Sequence, residues 1–357
     1  MQTIYLDQNH WIGLSRVAHG WGCSADVGHL LQVLRTVKAE RRARFPLSLS
    51  HYMETWKHAV PERRERLAQF MLELSGGETV ASFRVVVQHE LESALERLFP
   101  GRIQPRPFEF VRHGLSHAAG QNFDVHLEWP FEALTVSPEQ RARFEKTLMN
   151  EVSLNLLSGV LREGDILRQR PPTDLSADRR FETALGDWRG IAARCSRADL
   201  DRRIYATTLA DIDTALFAAL VDHGIRLEEF ALLGEQGWRA LLDDMPSRRA
   251  DMHLRRQWAK NASLTPKESD LNDWAFLGIA VSYCNAVVTE KQVADLFSRE
   301  FETCATILTD LRELTHVLGS DRSTSDALTP NSAIDPTGLS LTARRETPCA
   351  GGSSPRR

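Results

Sequence analysis

The sequence predicts an α/β fold in which helices flank a parallel β-sheet and a large, mostly helical insertion interrupts the chain. Short runs rich in aliphatic and β-branched residues recur near both ends, and most are followed by a longer stretch whose apolar positions have helical spacing. Alternation of strands and helices is typical of a parallel sheet. Between the two ends, helical patterns follow one another without strands, which predicts the insertion.

Strands are predicted where a short apolar run stops at polar residues. They are 3–6, 45–50, 82–87, 286–289 and 305–308. Helices are predicted from apolar spacing and from caps, such as proline at the first helical position and glycine after the last. They are 26–44, a helix that begins near residue 51 after Ser50, and 61–74, 88–98, 137–164, 177–194, 199–223, 226–238, 251–260, 270–284, 292–301 and 310–318. Residues 100–130 are rich in proline, glycine and aromatics and predict a long loop.

These elements predict the domain organisation. Residues 1–98 and 245–318 form the two parts of the α/β domain, and residues 99–244 form the insertion. Residues 319–357 contain serine, threonine, proline, glycine and arginine with few large apolar side chains, which predicts a disordered tail.

Composition narrows the function classes. The net charge of −4 gives no general attraction to nucleic acid, so such binding needs a local patch. Two groups of arginines are candidates for contacting phosphates, although solvated helix faces would have the same composition. They are Arg41, Arg42, Arg44, Arg63, Arg64 and Arg66 in the first group and Arg248, Arg249, Arg255 and Arg256 in the second.

The chain carries no pattern of a secreted or membrane protein. It starts directly with a strand, its five cysteines form no CxxC pair, and no apolar run approaches the roughly 20 residues of a membrane helix. We therefore expect a cytoplasmic protein without membrane contact. The phosphate-binding, dinucleotide-binding, esterase and zinc-protease motifs are also missing from the sequence.

Acidic residues occupy related positions in several of the predicted strand–helix units. Residues at a strand's carboxyl end and residues at the start of the following helix share one edge of a parallel sheet. Ligands bind at that edge in open α/β folds. The acidic residues predicted to lie there are Asp7 and Glu290 at strand ends and Glu54, Asp270 and Asp273 at helix starts.

Carboxylates gathered in this way repel one another. Two of them ~4 Å apart cost on the order of 4 kcal/mol at an effective dielectric near 20. Either some are protonated or a cation lies among them, and a sulfur-free carboxylate site suits Mg²⁺ or Mn²⁺. Such an ion polarises phosphates and generates hydroxide from water, so phosphodiester hydrolysis is the expected reaction.

Four short motifs in this order resemble the PIN domain. They are Asp7-Gln8-Asn9 after the first strand, the isolated Glu54, Asn272-Asp273-Trp274 at a helix start, and Val287-Val288-Thr289-Glu290 at a strand end. PIN domains are metal-dependent nucleases, mostly ribonucleases, with a three-layer fold and a parallel sheet of about four or five strands. The resemblance covers residues 1–98 and 245–318 and leaves out the insertion.

The resemblance implies roles for particular residues. Asp7, Glu54, Asp273 and Glu290 match the acidic metal-binding quartet, and Asp270 competes with Asp273 for the third position. Asn9 and Thr289 match the small polar residues that orient ligands or water.

The leading hypothesis is accordingly a Mg²⁺- or Mn²⁺-dependent endoribonuclease that hydrolyses single-stranded RNA. The first alternative is a PIN-like module with a decayed site that binds RNA or a partner protein. The second is a toxin-like component held by an antitoxin.

Overall fold

Four parallel strands form the central sheet. The structure is a computed structural model that describes residues 1–21, 25–120, 137–159, 190, 192–261, 270–298 and 301–320. The strands in these residues, including two outside the central sheet, are β1 (Gln2–Leu6), β2 (Ala43–Arg44), β3 (Glu78–Val80), β4 (Val111–His113), β5 (Ala286–Val288) and β6 (Thr306–Leu308). The sheet has the order β2-β1-β5-β6, and β3 and β4 form a separate antiparallel pair. The side chains of residues 270–273, 275 and 320 lie outside the description.

Helices make up most of the described chain. They are α1 (Gln8–Ala18), α2 (Ala25–Ala39), α3 (Leu49–Lys57), α4 (Pro61–Ser75), α5 (Phe83–Leu98), α6 (Leu115–Ala119), α7 (Pro138–Ser158), α8 (Arg197–Ala210), α9 (Asp213–Asp222), α10 (Leu227–Ala231), α11 (Gly234–Asp243), α12 (Pro246–Lys260), α13 (Asp270–Tyr283), α14 (Lys291–Phe297) and α15 (Leu314–Ser320). A short 3₁₀ helix, Leu311–Glu313, precedes α15. The predicted α/β class with a parallel sheet is confirmed.

The sheet has an apolar core on each face. In β1, Ile4 and Leu6 pack against helices α1, α2 and α4, whereas Tyr5 between them packs against α12, α13 and α14. In β5, Val288 packs in the first of these cores and Val287 packs in the second. Alternate side chains of a strand point to opposite faces, so strands covered on both faces are apolar throughout. This burial explains the apolar run Ile4–Leu6 in β1 and the apolar sequence of β5.

Two predicted strands are wrong. Residues 82–87 begin helix α5, because the Ser82 hydroxyl caps the helix by accepting a hydrogen bond from the Val85 backbone N–H, and Val86 and Val87 are buried as helix side chains. Residues 45–50 do not form a strand. The second strand of the sheet lies earlier, at Ala43–Arg44.

The start of α3 also differs from the prediction, since Ser48 rather than Ser50 precedes the helix. The backbone N–H of Ser48 donates to Nδ1 of His51 (2.8 Å), and this bond closes the first turn. The stretch 100–130, predicted as a loop, includes β4 and α6 within its described part. The predicted strands 286–289 and 305–308 correspond to β5 and β6, and the predicted helix 270–284 corresponds to α13.

The remaining helix predictions hold in part. Residues 199–223 and 226–238 each contain two helices instead of one, because the chain breaks near Asp211 and near Leu233. Helix α7 ends at Ser158, where Gly159 adopts a left-handed conformation, so it is shorter than predicted. The predicted helix 177–194 lies largely outside the described residues, and the predicted tail lies almost entirely outside them.

The helices of the predicted insertion build a third core. Leu91 and Leu95 of α5 pack there with Ile204 of α8, Leu216 of α9 and Leu241 of α11. Residues 1–318 form one compact unit. No described helix has by itself the length and apolar character to cross a membrane, although α8 and α9, bent by 59°, meet that test as a pair on length and composition only.

Candidate functional site

The topology of the sheet directs attention to the gap between β1 and β5. These strands are parallel neighbours, with Leu6 paired to Val288 at their carboxyl ends. From β1 the chain continues to β2 on one side, and from β5 it continues to β6 on the other side. Neighbouring strands whose connections leave in opposite directions form the crevice in which open α/β folds bind ligands. Asp7 and Thr289 are the residues that directly follow these two strands.

Asp7 is fixed at this crevice by three hydrogen bonds. Its backbone N–H donates to the Val288 carbonyl (2.9 Å), which extends the pairing of the two strands by one bond. Its carboxylate accepts one bond from the Gln8 backbone N–H (2.6 Å) and another from the Thr289 hydroxyl (3.3 Å). Asp7 is also the N-cap of α1, so it ends a strand and starts a helix. The side chain is half-buried, and Thr289 is buried.

The environment raises the pKa of Asp7 above its ordinary value. Burial is the largest cause, and the negative charge of Glu290 adds to it. The hydrogen bond from Gln8, the nearby His10 and the hydroxyl of Thr289 oppose the rise without cancelling it. Asp7 is therefore a carboxylate whose charged form is disfavoured by its surroundings.

Glu290 is held beside Asp7 by the first turn of α1. The Asn9 side-chain amide donates to the Glu290 carboxylate at 2.5 Å, and both residues are exposed. Glu290 is the N-cap of α14. Within the described part of the chain, neither Asp7 nor Glu290 forms a salt bridge with a lysine or arginine. The structure thus brings together Asp7, Asn9, Thr289 and Glu290, all of which the sequence places at this edge.

Two further polar residues lie at this edge that the sequence does not single out as site residues. Burial lowers the pKa of His10 despite the nearby backbone of Thr289 and the charges of Asp7, Asp310 and Glu290. Asp310 follows β6 and pairs with Arg312, whose hydrogen bonds lower the pKa of that carboxylate. Its position after a predicted strand is the signal that could have identified it. Arg312 neutralises the charge of Asp310. Asp7 and Glu290 at the crevice have no such arginine partner among the described residues.

Glu54 lies on α3, which contacts the end of β1 and the start of α1. The His51 ring is hydrogen-bonded to the Leu6 carbonyl (2.8 Å), and the Thr55 hydroxyl accepts from the side-chain amide of Gln8 (2.9 Å). Glu54 is half-buried and directly precedes Thr55 in the helix. It takes part in an interaction of its own, so it is not a free carboxylate.

The start of α13 carries Asp270 and Asp273, whose side chains lie outside the description. Helix α13 packs against α3 and α12 and adjoins β5. Among the described side chains, no three from His, Cys, Asp and Glu come together as a group able to hold a metal ion, which means that Asp7, Glu54 and Glu290 do not form such a group by themselves.

The second arginine group is largely engaged inside the protein. Arg255 pairs with Asp211 and Asp251, and Arg256 pairs with Asp201. Arg248 is buried, with its guanidinium 4.5 Å from the centre of the Phe83 ring. These contacts give Arg248, Arg255 and Arg256 structural partners, so they are poorly placed to contact phosphates.

Comparison of the chain with known protein families, curated proteins and solved structures gives no match. The chemistry of the site is therefore inferred from its own geometry. Two carboxylates that form no salt bridge with a described lysine or arginine, held by a hydroxyl and an amide at the ligand-binding crevice of a parallel sheet, are suited to binding a hard cation through oxygen.

Proposed function

We propose that this chain is a PIN-like, metal-dependent nuclease that hydrolyses phosphodiester bonds of single-stranded RNA. The observation that carries the proposal is the pairing of Asp7 and Glu290 at the crevice between β1 and β5, where neither has a salt-bridge partner among the described residues. Carboxylates at this position recur in the PIN family, which the order of the motifs resembles.

The residues at the crevice fit a divalent cation. Their donors are oxygens of carboxylates and of a hydroxyl, which suit Mg²⁺ or Mn²⁺ and not softer metals. The mutual repulsion that contributes to the raised pKa of Asp7 is the kind of energy that a cation removes. Asp7 and Glu290 would hold the ion, together with Asp273 or Asp270 from the start of α13 and Glu54 from α3.

A bound ion would polarise the scissile phosphate and lower the pKa of a water molecule, which then serves as the nucleophile. The chain itself orients the carboxylates. Thr289 donates its hydroxyl to Asp7 and fixes one oxygen, while Asn9 donates its amide to Glu290 and fixes another. Partners of this kind orient metal ligands and are worth about 10- to 100-fold in affinity or activity.

Cleavage of a fluorescently labelled, single-stranded RNA tests the proposal. We expect cleavage of the RNA in Mn²⁺ or Mg²⁺, none in EDTA, and loss of cleavage in Glu290→Gln. The matched control is Asp295→Asn, which removes a carboxylate from a surface ion pair with Lys291 on α14, five residues after Glu290 in the chain. Cleavage that survives Glu290→Gln at the wild-type rate, or that needs no metal, would refute the proposal.

A further inference from the structure

A cavity lies on the α1 side of the sheet, beside helix α4. Its volume is about 260 Å³. The polar and aromatic side chains that matter at its walls are Arg16, His19, Trp21, His58, Arg63 and Arg66. Among the residues that the structure describes, no acidic side chain lines it. The described part of the cavity therefore combines three guanidinium groups with flat aromatic rings and carries no carboxylate.

Three arginines at this cavity have no acidic partner among the described residues. Within the described residues, Arg16, Arg63 and Arg66 form no salt bridge, whereas Arg35 nearby on α2 pairs with Glu73. The guanidinium of Arg66 instead lies 4.6 Å from the centre of the Trp21 ring, and Trp21 is 45% exposed. Arginine without a carboxylate partner, beside an exposed indole, is the arrangement that proteins use to bind phosphates and stack on bases.

The pKa of His58 is consistent with an excess of positive charge at this cavity. Burial lowers the pKa of His58, and the charges of Arg16, Arg63 and Arg64 lower it further. Arg64 has a different role, because it is buried and its guanidinium donates to the carbonyls of Ser158 and His58. An anion in the cavity would relieve the repulsion among these groups.

Helix α1 connects the cavity with the crevice. Asn9 in its first turn contacts Glu290, and Ile12, Arg16 and His19 follow on the same stripe of the helix at spacings of three and four residues. At 1.5 Å per residue, Arg16 lies roughly 10 Å from Asn9 along the helix axis. An extended strand of nucleic acid bound along this stripe reaches both places.

We propose that this cavity binds a backbone phosphate of the single-stranded RNA whose scissile phosphate lies at the Asp7–Glu290 crevice, with a neighbouring base stacked on Trp21. The proposal rests on the proposed function for its ligand, but the binding itself requires no cleavage. Arg16 and Arg63 contact the phosphate, and Arg66 holds the indole in place from its other side.

Binding can be measured without cleavage, by fluorescence anisotropy of a labelled single-stranded RNA in EDTA. The test variant is Arg16→Gln/Arg63→Gln, and both residues are exposed, so the core is untouched. The matched control is Arg84→Gln on α5, which removes the charge of an exposed arginine that lines neither the cavity nor the crevice. Thermal unfolding of each variant establishes that it is folded.

We expect about tenfold weaker binding in the double variant, since a charge-assisted contact to phosphate is lost. The slope of log affinity against log salt should fall by about 0.7 for each phosphate contact removed. Trp21→Ala should weaken binding by about tenfold as well, through lost stacking. Arg84→Gln should bind the RNA like the wild type.

Three outcomes separate the possibilities. Equal RNA affinity in the double variant and in the wild type would overturn the proposal. A mononucleotide or inorganic phosphate that competes as well as the RNA strand would also overturn it, in favour of a site for a free phosphate compound. RNA binding that depends on Arg16 and Arg63 while no metal condition yields cleavage would support this site and refute only the proposed nuclease activity.

Discussion

The amide of Asn9 donates a 2.5 Å hydrogen bond to the carboxylate of Glu290, across 281 positions of the chain. The bond joins the first turn of α1 to the start of α14, the helices that follow the two central strands. It keeps one oxygen of Glu290 oriented beside Asp7. Asn9 therefore controls the geometry of the crevice although it carries no charge.

Asn9→Ala removes this bond and leaves an exposed position with little effect on folding. We expect the affinity for Mn²⁺ to fall by about 10- to 100-fold, because Glu290 loses the group that orients it. Isothermal titration calorimetry measures the change.

The control for Asn9→Ala is Asn285→Ala. Asn285 lies at the amino end of β5, where its side chain accepts a bond from the Thr3 backbone N–H (2.8 Å), so it is at the opposite edge of the sheet. We expect it to affect stability and to leave the affinity for Mn²⁺ unchanged. Equal losses of affinity in both variants would show that the effect of Asn9 is indirect.

Asp7→Asn should leave the metal-free protein as stable as the wild type or make it more stable at neutral pH. The pKa of Asp7 is raised in the folded state, so ionisation of Asp7 destabilises the fold. The free energy of unfolding therefore falls as the pH rises from 3.8, the ordinary pKa of aspartate, through the pKa in the folded state. Asparagine caps a helix as well as aspartate and carries no charge. Thermal unfolding in EDTA at neutral and acidic pH measures this.

The advantage of Asp7→Asn should disappear at a pH below the ordinary pKa of aspartate, where both proteins are uncharged at this position. A large loss of stability in Asp7→Asn at neutral pH would mean that the carboxylate stabilises the fold, contrary to its raised pKa.

His51 should make the protein sensitive to acid. It is fully buried, and its pKa is lowered to about 4 by burial, although its bond to the Leu6 carbonyl opposes the shift. The stability that follows from a neutral buried ring is complete above pH 6.5 and is lost as the pH falls toward 4, by on the order of 3 kcal/mol.

Urea unfolding of the wild type and of His51→Gln at pH 7 and at mildly acidic pH tests this. The variant cannot titrate, so its stability should decline less with acid. His29→Gln on the exposed side of α2 is the control and should follow the wild type. A parallel decline in wild type and His51→Gln would assign the acid sensitivity to other groups.

Thr289→Val tests the hydroxyl that faces Asp7. Valine has nearly the same shape, and the bond it removes is long at 3.3 Å, so the free energy of unfolding should change by about 1 kcal/mol or less. The affinity for Mn²⁺ should fall about tenfold, since Asp7 loses an orienting partner. Thr289→Ser keeps the hydroxyl and should retain the affinity; if both variants bind Mn²⁺ equally, the hydroxyl has no role in orienting Asp7.

The parts of the fold that were predictable are those in which burial acts on a local pattern. The carboxyl-terminal residues of β1 and all of β5 are apolar because both faces of the sheet are covered there, and such runs are visible in the sequence. Strand β2 was missed because it is two residues, Ala43 and Arg44, at the end of a run of charges. The valines at 85–87 have strand propensity, but the cap at Ser82 and burial on helix faces outweighed it.

At the candidate site, too, some features were predictable from the sequence and others were not. The proximity of Asp7 and Glu290 follows from topology, because each lies within two residues of the carboxyl end of one of two neighbouring parallel strands. The partners of these acids do not follow from topology. The bond from Asn9 to Glu290 and the salt bridge that neutralises Asp310 depend on side-chain contacts, and local sequence pattern does not encode which partner each group finds. The assignment of Glu54 to the metal-binding quartet stays a prediction, and the structure adds that Glu54 takes part in an interaction of its own.

Calorimetric titration of the metal-free protein with Mn²⁺ measures most directly whether Asp7 and Glu290 hold a cation. We expect saturable heat in the wild type, its loss in Asp7→Asn, and an unchanged titration in Asp295→Asn. Saturable binding of equal affinity in Asp7→Asn, or no saturable heat in the wild type, would contradict a metal centre at the crevice between β1 and β5.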